Sequence, residues 1–211
     1  MLYRFILCCG TFCLLFAGCS KEKSNEETYD RCNYAPYVPG NSFTYQRILA
    51  SHDTLVYTVK VTGDTLLQGQ IYAVLNNEYN NQYIRCNDGL YYLFEPGVSR
   101  PDYESPDGER LFLYDYMKPG QSWINNISAT VSGVEQQGVL QYTVIQTGVP
   151  KTVLGNTYTD VIGIRQDADL ILDGVFFPIG TIATYYYAKG VGYIEVDSPT
   201  DTIRMLRYSV H

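Results

Sequence analysis

Apolar and polar residues alternate with a period of two along much of this chain. The clearest runs are Thr54-Leu55-Val56-Tyr57-Thr58-Val59-Lys60-Val61 and Val139-Leu140-Gln141-Tyr142-Thr143-Val144. Such alternation sends one set of side chains to each face of a strand. Candidate strands fall at 42–49, 54–62, 70–76, 81–87, 90–95, 110–115, 123–131, 138–147, 152–164, 181–188, 192–197 and 202–210. Turn formers punctuate them, among them Thr62-Gly63-Asp64, Asn87-Asp88-Gly89 and Asp173-Gly174. No segment carries a capped 3.6-residue period. Short strands at this spacing predict an all-β, antiparallel fold, either a sandwich or a curved half-barrel sheet.

A repeat runs through the pattern. Pro39-Gly40-Asn41-Ser42-Phe43 returns as Pro119-Gly120-Gln121-Ser122-Trp123. Tyr57-Thr58-Val59 with Thr62-Gly63 returns as Tyr142-Thr143-Val144 with Thr147-Gly148, and Gly69-x-x-Tyr72 as Gly155-x-x-Tyr158. Three matches in the same order predict two related halves of about 80–90 residues, at 37–95 and 117–197. Between them, residues 94–110 hold three prolines and several acids. They read as a polar loop, functional or linking.

The N-terminus reads as an address. Arg4 precedes a short apolar run, and Leu14-Leu15-Phe16-Ala17-Gly18-Cys19 ends it as a lipoprotein processing site. Residues 1–18 are then a signal peptide, too short for the ~20 apolar residues of a membrane span. Cys19 accepts diacylglycerol and its acyl chains, palmitate for example. Residues 19–31 form a charged tether with little to bury, and 32–211 form the folded domain. The stretch Ser20-Lys21-Glu22-Lys23-Ser24-Asn25-Glu26-Glu27 resembles the tether after the lipidated cysteine in surface-exported lipoproteins of Bacteroidota. A plain spacer is the alternative.

Charge narrows the partners. The 211 residues carry 15 basic and 22 acidic groups, and loss of Arg4 with the leader leaves a net charge of −8. Nucleic acid is excluded, since phosphates reward Lys and Arg, and the acyl chains must supply the membrane attachment. Of six cysteines, only Cys32 and Cys86 lie in the domain. In an exported protein such a pair predicts a disulfide tying the N-terminal segment to an early strand; two separate buried thiols are the alternative.

Catalytic signatures are weak. The histidines are His52 and His211, and no G-x-S-x-G, H-E-x-x-H or phosphate-cradling loop occurs. Asp102, Glu104, Asp107 and Glu109 bring calcium to mind, but their spacing does not fit an EF-hand loop. No metal and no cofactor is expected. A carboxylate-pair hydrolase stays open as a third reading.

Tyrosine stands out, with 21 residues. Tyr91-Tyr92 and Tyr185-Tyr186-Tyr187 place successive rings on opposite faces of a strand. Together with Trp123 they are candidates for a binding surface that stacks on sugar rings or grips a protein. The plainer alternative is that tyrosine suits half-buried strands.

Two stretches carry a family resemblance. Leu113-Tyr114-Asp115-Tyr116-Met117-Lys118-Pro119-Gly120-Gln121-Ser122-Trp123 resembles a segment of uncharacterised exported β-domains of Bacteroidota. Tyr186-Tyr187-Ala188-Lys189-Gly190-Val191-Gly192-Tyr193-Ile194 is similar to their Y-Y-A-x-G-V-G hairpin. The resemblance implies an outer-membrane lipoprotein of unsettled activity. The expectation is a non-catalytic binding or accessory module for a glycan or protein partner. The alternative is an envelope-maintenance protein cradling a lipid or acyl chain in a curved sheet, where a cavity lined by Val, Ile, Leu and Phe would be found.

Overall fold

The computed structural model describes residues 32–211. The expected signal peptide, the expected lipidation site Cys19 and the expected tether lie outside the described residues. The remainder is strand and turn throughout. β1 (Ser42–Leu49), β2 (Thr54–Leu67), β3 (Gln70–Asn76), β4 (Asn81–Asn87) and β5 (Leu90–Glu95) form a meander. β6 (Val98–Arg100), β7 (Tyr103–Ser105) and β8 (Gly108–Tyr114) follow. A second meander comprises β9 (Ser122–Val131), β10 (Val134–Val153), β11 (Asn156–Leu172), β12 (Val175–Ala188), β13 (Gly192–Asp197) and β14 (Asp201–Ser209).

Every pairing is antiparallel, and β14 pairs with β1, so the two meanders join into one sheet. Its order is β6-β7-β9-β10-β11-β12-β13-β14-β1-β2-β3-β4-β5-β8. The all-β antiparallel class is as the alternation predicts. Of the two arrangements expected, the structure has one continuous sheet, not closed into a barrel.

Tight turns set the registers. Gln68-Gly69, Asp88-Gly89, Ser132-Gly133, Leu154-Gly155 and Asp173-Gly174 all have positive φ at both residues. That is the two-residue turn whose twist suits flanking antiparallel strands. The two Pro-Gly segments have like backbone settings, but their hydrogen bonds match Val61 with Val144, where the sequence repeat aligns Val59. Gly40 N–H donates to Val61 O (2.9 Å) and Val61 N–H to Asn41 O (2.9 Å). Likewise Gly120 N–H donates to Val144 O (2.8 Å) and Val144 N–H to Gln121 O (2.9 Å). Gly40 and Gly120 have φ of 97° and 88°, which an L side chain rarely adopts.

Three expectations are corrected. Residues 94–110 are not a loop: β6 and β7 form a hairpin, with Val98 opposite Ser105, and β7 pairs Glu104 with Thr130 of β9. The edge of β9 offered unsatisfied backbone groups, and this acidic segment supplies them despite its prolines. Residues 165–180, in no candidate strand, form the distal halves of β11 and β12. Register shifts between Gln166 and Asp167 and between Ala168 and Asp169 break the alternation there. The candidate strand 152–164 also contains the Leu154-Gly155 turn.

Curvature brings the two ends of the sheet together. β8, the last strand, faces the exposed edge of β9 without a backbone ladder. Instead Trp123 Nε1–H (3.0 Å) and Asn125 Nδ2–H (2.9 Å) both donate to Leu111 O of β8. Trp123 also stacks on Tyr142, with ring centroids 5.2 Å apart and planes within 7°. Side chains thus fasten a seam that the backbone leaves open, and the β6–β7 hairpin spans it above.

Two buried clusters fill the bend. One groups Phe43, Tyr45, Val59, Val61 and Leu75 with Val161, Ile194 and Met205. The other groups Tyr91 and Leu113 with Leu140, Tyr142, Val144, Ile162, Ile164 and Tyr187. Residues from opposite ends of the strand order therefore share a core, which a flat sheet could not achieve. The expected disulfide is present: Cys32 bonds to Cys86 near the end of β4.

Candidate ligand-binding site

The concave face is not completely filled. Inward-facing residues of β2, β4, β5, β8 and β10 to β14 enclose a cavity of about 400 Å³. It adjoins a second space of about 270 Å³, and Tyr57, Gln82, Tyr193 and Ile203 line both. The first volume lies within the ~300–1,000 Å³ usual for small-molecule sites. Asn77 and Tyr79, of the β3–β4 turn, line the second space. They mark its mouth at the opposite end of β4 from Cys86.

The wall is mostly apolar, with Ile84, Leu93, Phe112, Val196 and Ile203 among tyrosine rings. Tyr193 stacks on Tyr45, with centroids 4.3 Å apart, and its hydroxyl lies 3.3 Å from that of Tyr57. Set into this wall is one ion pair, Arg110 Nη2 to Glu95 Oε1 at 2.7 Å. The Arg110 Nε has no acceptor among the described residues. Gln166 Nε2–H donates to the Tyr142 hydroxyl at 2.9 Å. The hydroxyls of Tyr185 and Tyr187 have no hydrogen-bond partner among the described residues.

Burial pushes the phenols of Tyr187 and Tyr193 well above their ordinary value, and that of Tyr185 upward too. The lower dielectric penalises phenolate. The lumen therefore presents neutral O–H donors across the physiological range. A cationic guanidinium and phenol donors are thus set among apolar rings in one wall. Among its lining residues Glu95 is the single carboxylate, so the lumen offers no acid pair for glycoside chemistry.

The six aromatic residues singled out from sequence do not share one surface. Tyr91 is fully buried, its hydroxyl accepting the Tyr34 N–H at 3.0 Å. Tyr185 and Tyr187 line the lumen. Tyr92 and Tyr186 lie on the opposite, convex face, capped by Arg85 at 3.9 Å and Lys151 at 3.6 Å from the ring centroids. Trp123 closes the seam. Alternation separated the neighbours as expected, but the inward rings became wall and core. Sequence reasoning missed Arg110, Glu95, Tyr142 and Gln166. The available signal was an arginine in phase with Phe112 on the strand Gly108–Tyr114.

The acidic residues of 94–110 are engaged elsewhere. Glu109 accepts from Tyr72 and from Arg85 Nε (2.5 Å) and Nη2 (2.6 Å), while Asp107 accepts from Gln68 Nε2 (3.1 Å). Among the described residues no three His, Cys, Asp or Glu side chains gather as a metal site. His52 sits in the β1–β2 turn with φ of 68°, and the His211 N–H donates to Asn41 Oδ1 at 3.1 Å.

One acid beyond the lumen gives the fold a pH response. The hydroxyl of Ser198 and the Arg47 guanidinium hold the Asp201 carboxyl below its ordinary 3.8. A depressed carboxyl stabilises the fold above its unfolded value, and that contribution is lost as pH falls through the folded one. Stability should therefore drop on acidification below about pH 4. The drop should be shallower in Asp201→Asn, as read from urea midpoints between pH 6 and pH 3.

No family model matches this chain, and no curated protein does. Among solved structures it is similar to a candidate lipoprotein from Parabacteroides distasonis, with 13% identity, 83% of this chain and 98% of that chain covered, and a TM-score of 0.49. It is also similar to a candidate exported protein with a YmcC-like fold from Bacteroides fragilis, at 11% identity, 82% and 96% coverage and a TM-score of 0.48. A third is the hypothetical lipoprotein YmcC from Escherichia coli, at 9% identity, 86% and 92% coverage and a TM-score of 0.41.

Proposed function

We propose that this chain is a lipid-anchored cell-envelope protein, held at the outer membrane, that binds a small ligand inside its curved sheet without catalysing a reaction. The observation that carries the binding reading is the lumen: a ligand-sized cavity whose apolar wall holds a few unsatisfied polar groups. A recessed cavity of this volume favours a small ligand over a protein partner, which would need a broad exposed surface. The mixed wall suits either a sugar ring or the chain of a lipid.

The anchoring reading rests on the run Leu14 to Cys19. The thirteen residues from Cys19 to Cys32 span at most about 45 Å. The disulfide fixes where they enter the domain, at the end of β4 away from the mouth. The tether would then hold the base of the sheet, leaving the mouth directed away from the bilayer.

A lumen-filling variant tests the binding reading. Ile203 lines both spaces, so Ile203→Trp should occupy them with an indole. An environment-sensitive apolar dye should bind the wild type saturably, and the variant at least about tenfold more weakly. Equal binding to both would place the dye elsewhere and remove the interior site.

A further inference from the structure

The polar groups in the lumen are unbalanced in kind. Tyr187 is 6% exposed and lines the cavity with Tyr185, and neither hydroxyl has a hydrogen-bond partner among the described residues. Arg110 spends one nitrogen on Glu95, and its Nε finds no acceptor among the described residues. That Nε is enclosed by the wall, so a ligand would reach the guanidinium through its Nη atoms. The one carboxylate present is already held by Arg110. Arg110, Tyr185 and Tyr187 thus gather N–H and O–H donors on one side of the cavity, and Arg110 is the one cation among its lining residues. Around them lie Ile84, Leu93 and Phe112, which offer no polar contact.

Deepening the interior-ligand reading on which it rests, we infer that the lumen takes an amphiphile with an acceptor-only, anionic head, of which a medium-chain monocarboxylate is the type. The head accepts from Arg110, Tyr185 and Tyr187, and the chain lies along Ile84, Leu93 and Phe112. A sugar fits less well, because its hydroxyls lie all round the ring, whereas Ile84, Leu93 and Phe112 leave much of the wall without a polar contact. The head also enters beside Glu95. That carboxylate is half-exposed and is free to turn to solvent as the ligand takes its place on Arg110.

Calorimetric titration with decanoate, decan-1-ol and maltotriose tests this. Wild type should bind decanoate more tightly than decan-1-ol, and maltotriose not measurably. Arg110→Gln should weaken decanoate about tenfold or more, because a hydrogen bond to a charged group is lost. Its retained affinity for decan-1-ol would show that the site is still folded. Tyr187→Phe removes one hydroxyl and should weaken decanoate several-fold, whereas Tyr92→Phe on the convex face should not. Equal affinity for acid and alcohol, unmoved by Arg110→Gln, would overturn the head-group assignment. If Ile203→Trp still abolished both, the interior site would survive that result. Tight maltotriose binding without decanoate would replace the amphiphile by a sugar, and failure of all three probes would remove both readings.

Discussion

Replacing Cys32 and Cys86 together by serine should cost this protein about 4 kcal/mol of stability. The bond closes a loop with a sequence separation of 54, and in the chain-entropy account its loss releases that loop in the unfolded state. For a domain of this size the melting temperature should fall by about 10 °C. The effect extends beyond entropy, because the bond seats the segment entering the fold. Beside it the Tyr34 N–H donates to the Tyr91 hydroxyl (3.0 Å), and the Tyr34 hydroxyl donates to Asp160 Oδ1 (2.8 Å). Gly190 N–H donates to Asn33 O at 2.7 Å. Calorimetry of the double variant checks the prediction, and a shift of less than about 2 °C would mean that these bonds hold the segment unaided.

Truncating Trp123 should be comparably severe. Trp123→Ala removes the stack on Tyr142, the edge contact with Tyr114 (centroids 4.9 Å apart) and the bond to Leu111 O. Large-to-small changes of this kind cost about 3–5 kcal/mol. The damage should be directional, with backbone amides of β8 and β9 exchanging hydrogen faster while those of β13 and β14 change less. Trp123→Phe keeps a ring against Tyr142 and leaves Asn125 on the same carbonyl. It should cost about 1 kcal/mol. Uniform acceleration across the sheet in Trp123→Ala would show that the seam is not a separate fastening.

Local rules made most strands legible. Tyr57 to Val61 and Val139 to Val144 alternate as strands with one buried face must, and glycines at 69, 89 and 174 mark the turns where φ is positive. The disulfide was readable because only two cysteines remain in the folded part. Residues 98–105 and 165–180 were not legible. The former became strands because a vacant edge lay nearby, and the latter are bulged, so no clean period survives.

The site was less visible still. Tyr185, Tyr186 and Tyr187 must alternate in direction, but which face is concave depends on how far the sheet bends. That bend is set by contacts such as Phe112 against Tyr187, 75 residues apart. Arg110 is in phase with Phe112, but that phase alone does not say that it meets Tyr142 and Tyr185. Its role depends on three strands that meet only in the folded sheet.

The central claim is that the curved sheet holds a small ligand in its lumen. Native mass spectrometry of the full protein, extracted gently from the envelope in which it is made, tests that most directly. The account predicts a discrete adduct of low mass on the folded chain, released on denaturation and absent from Ile203→Trp. A bare folded chain, or an adduct retained equally by Ile203→Trp, would contradict it.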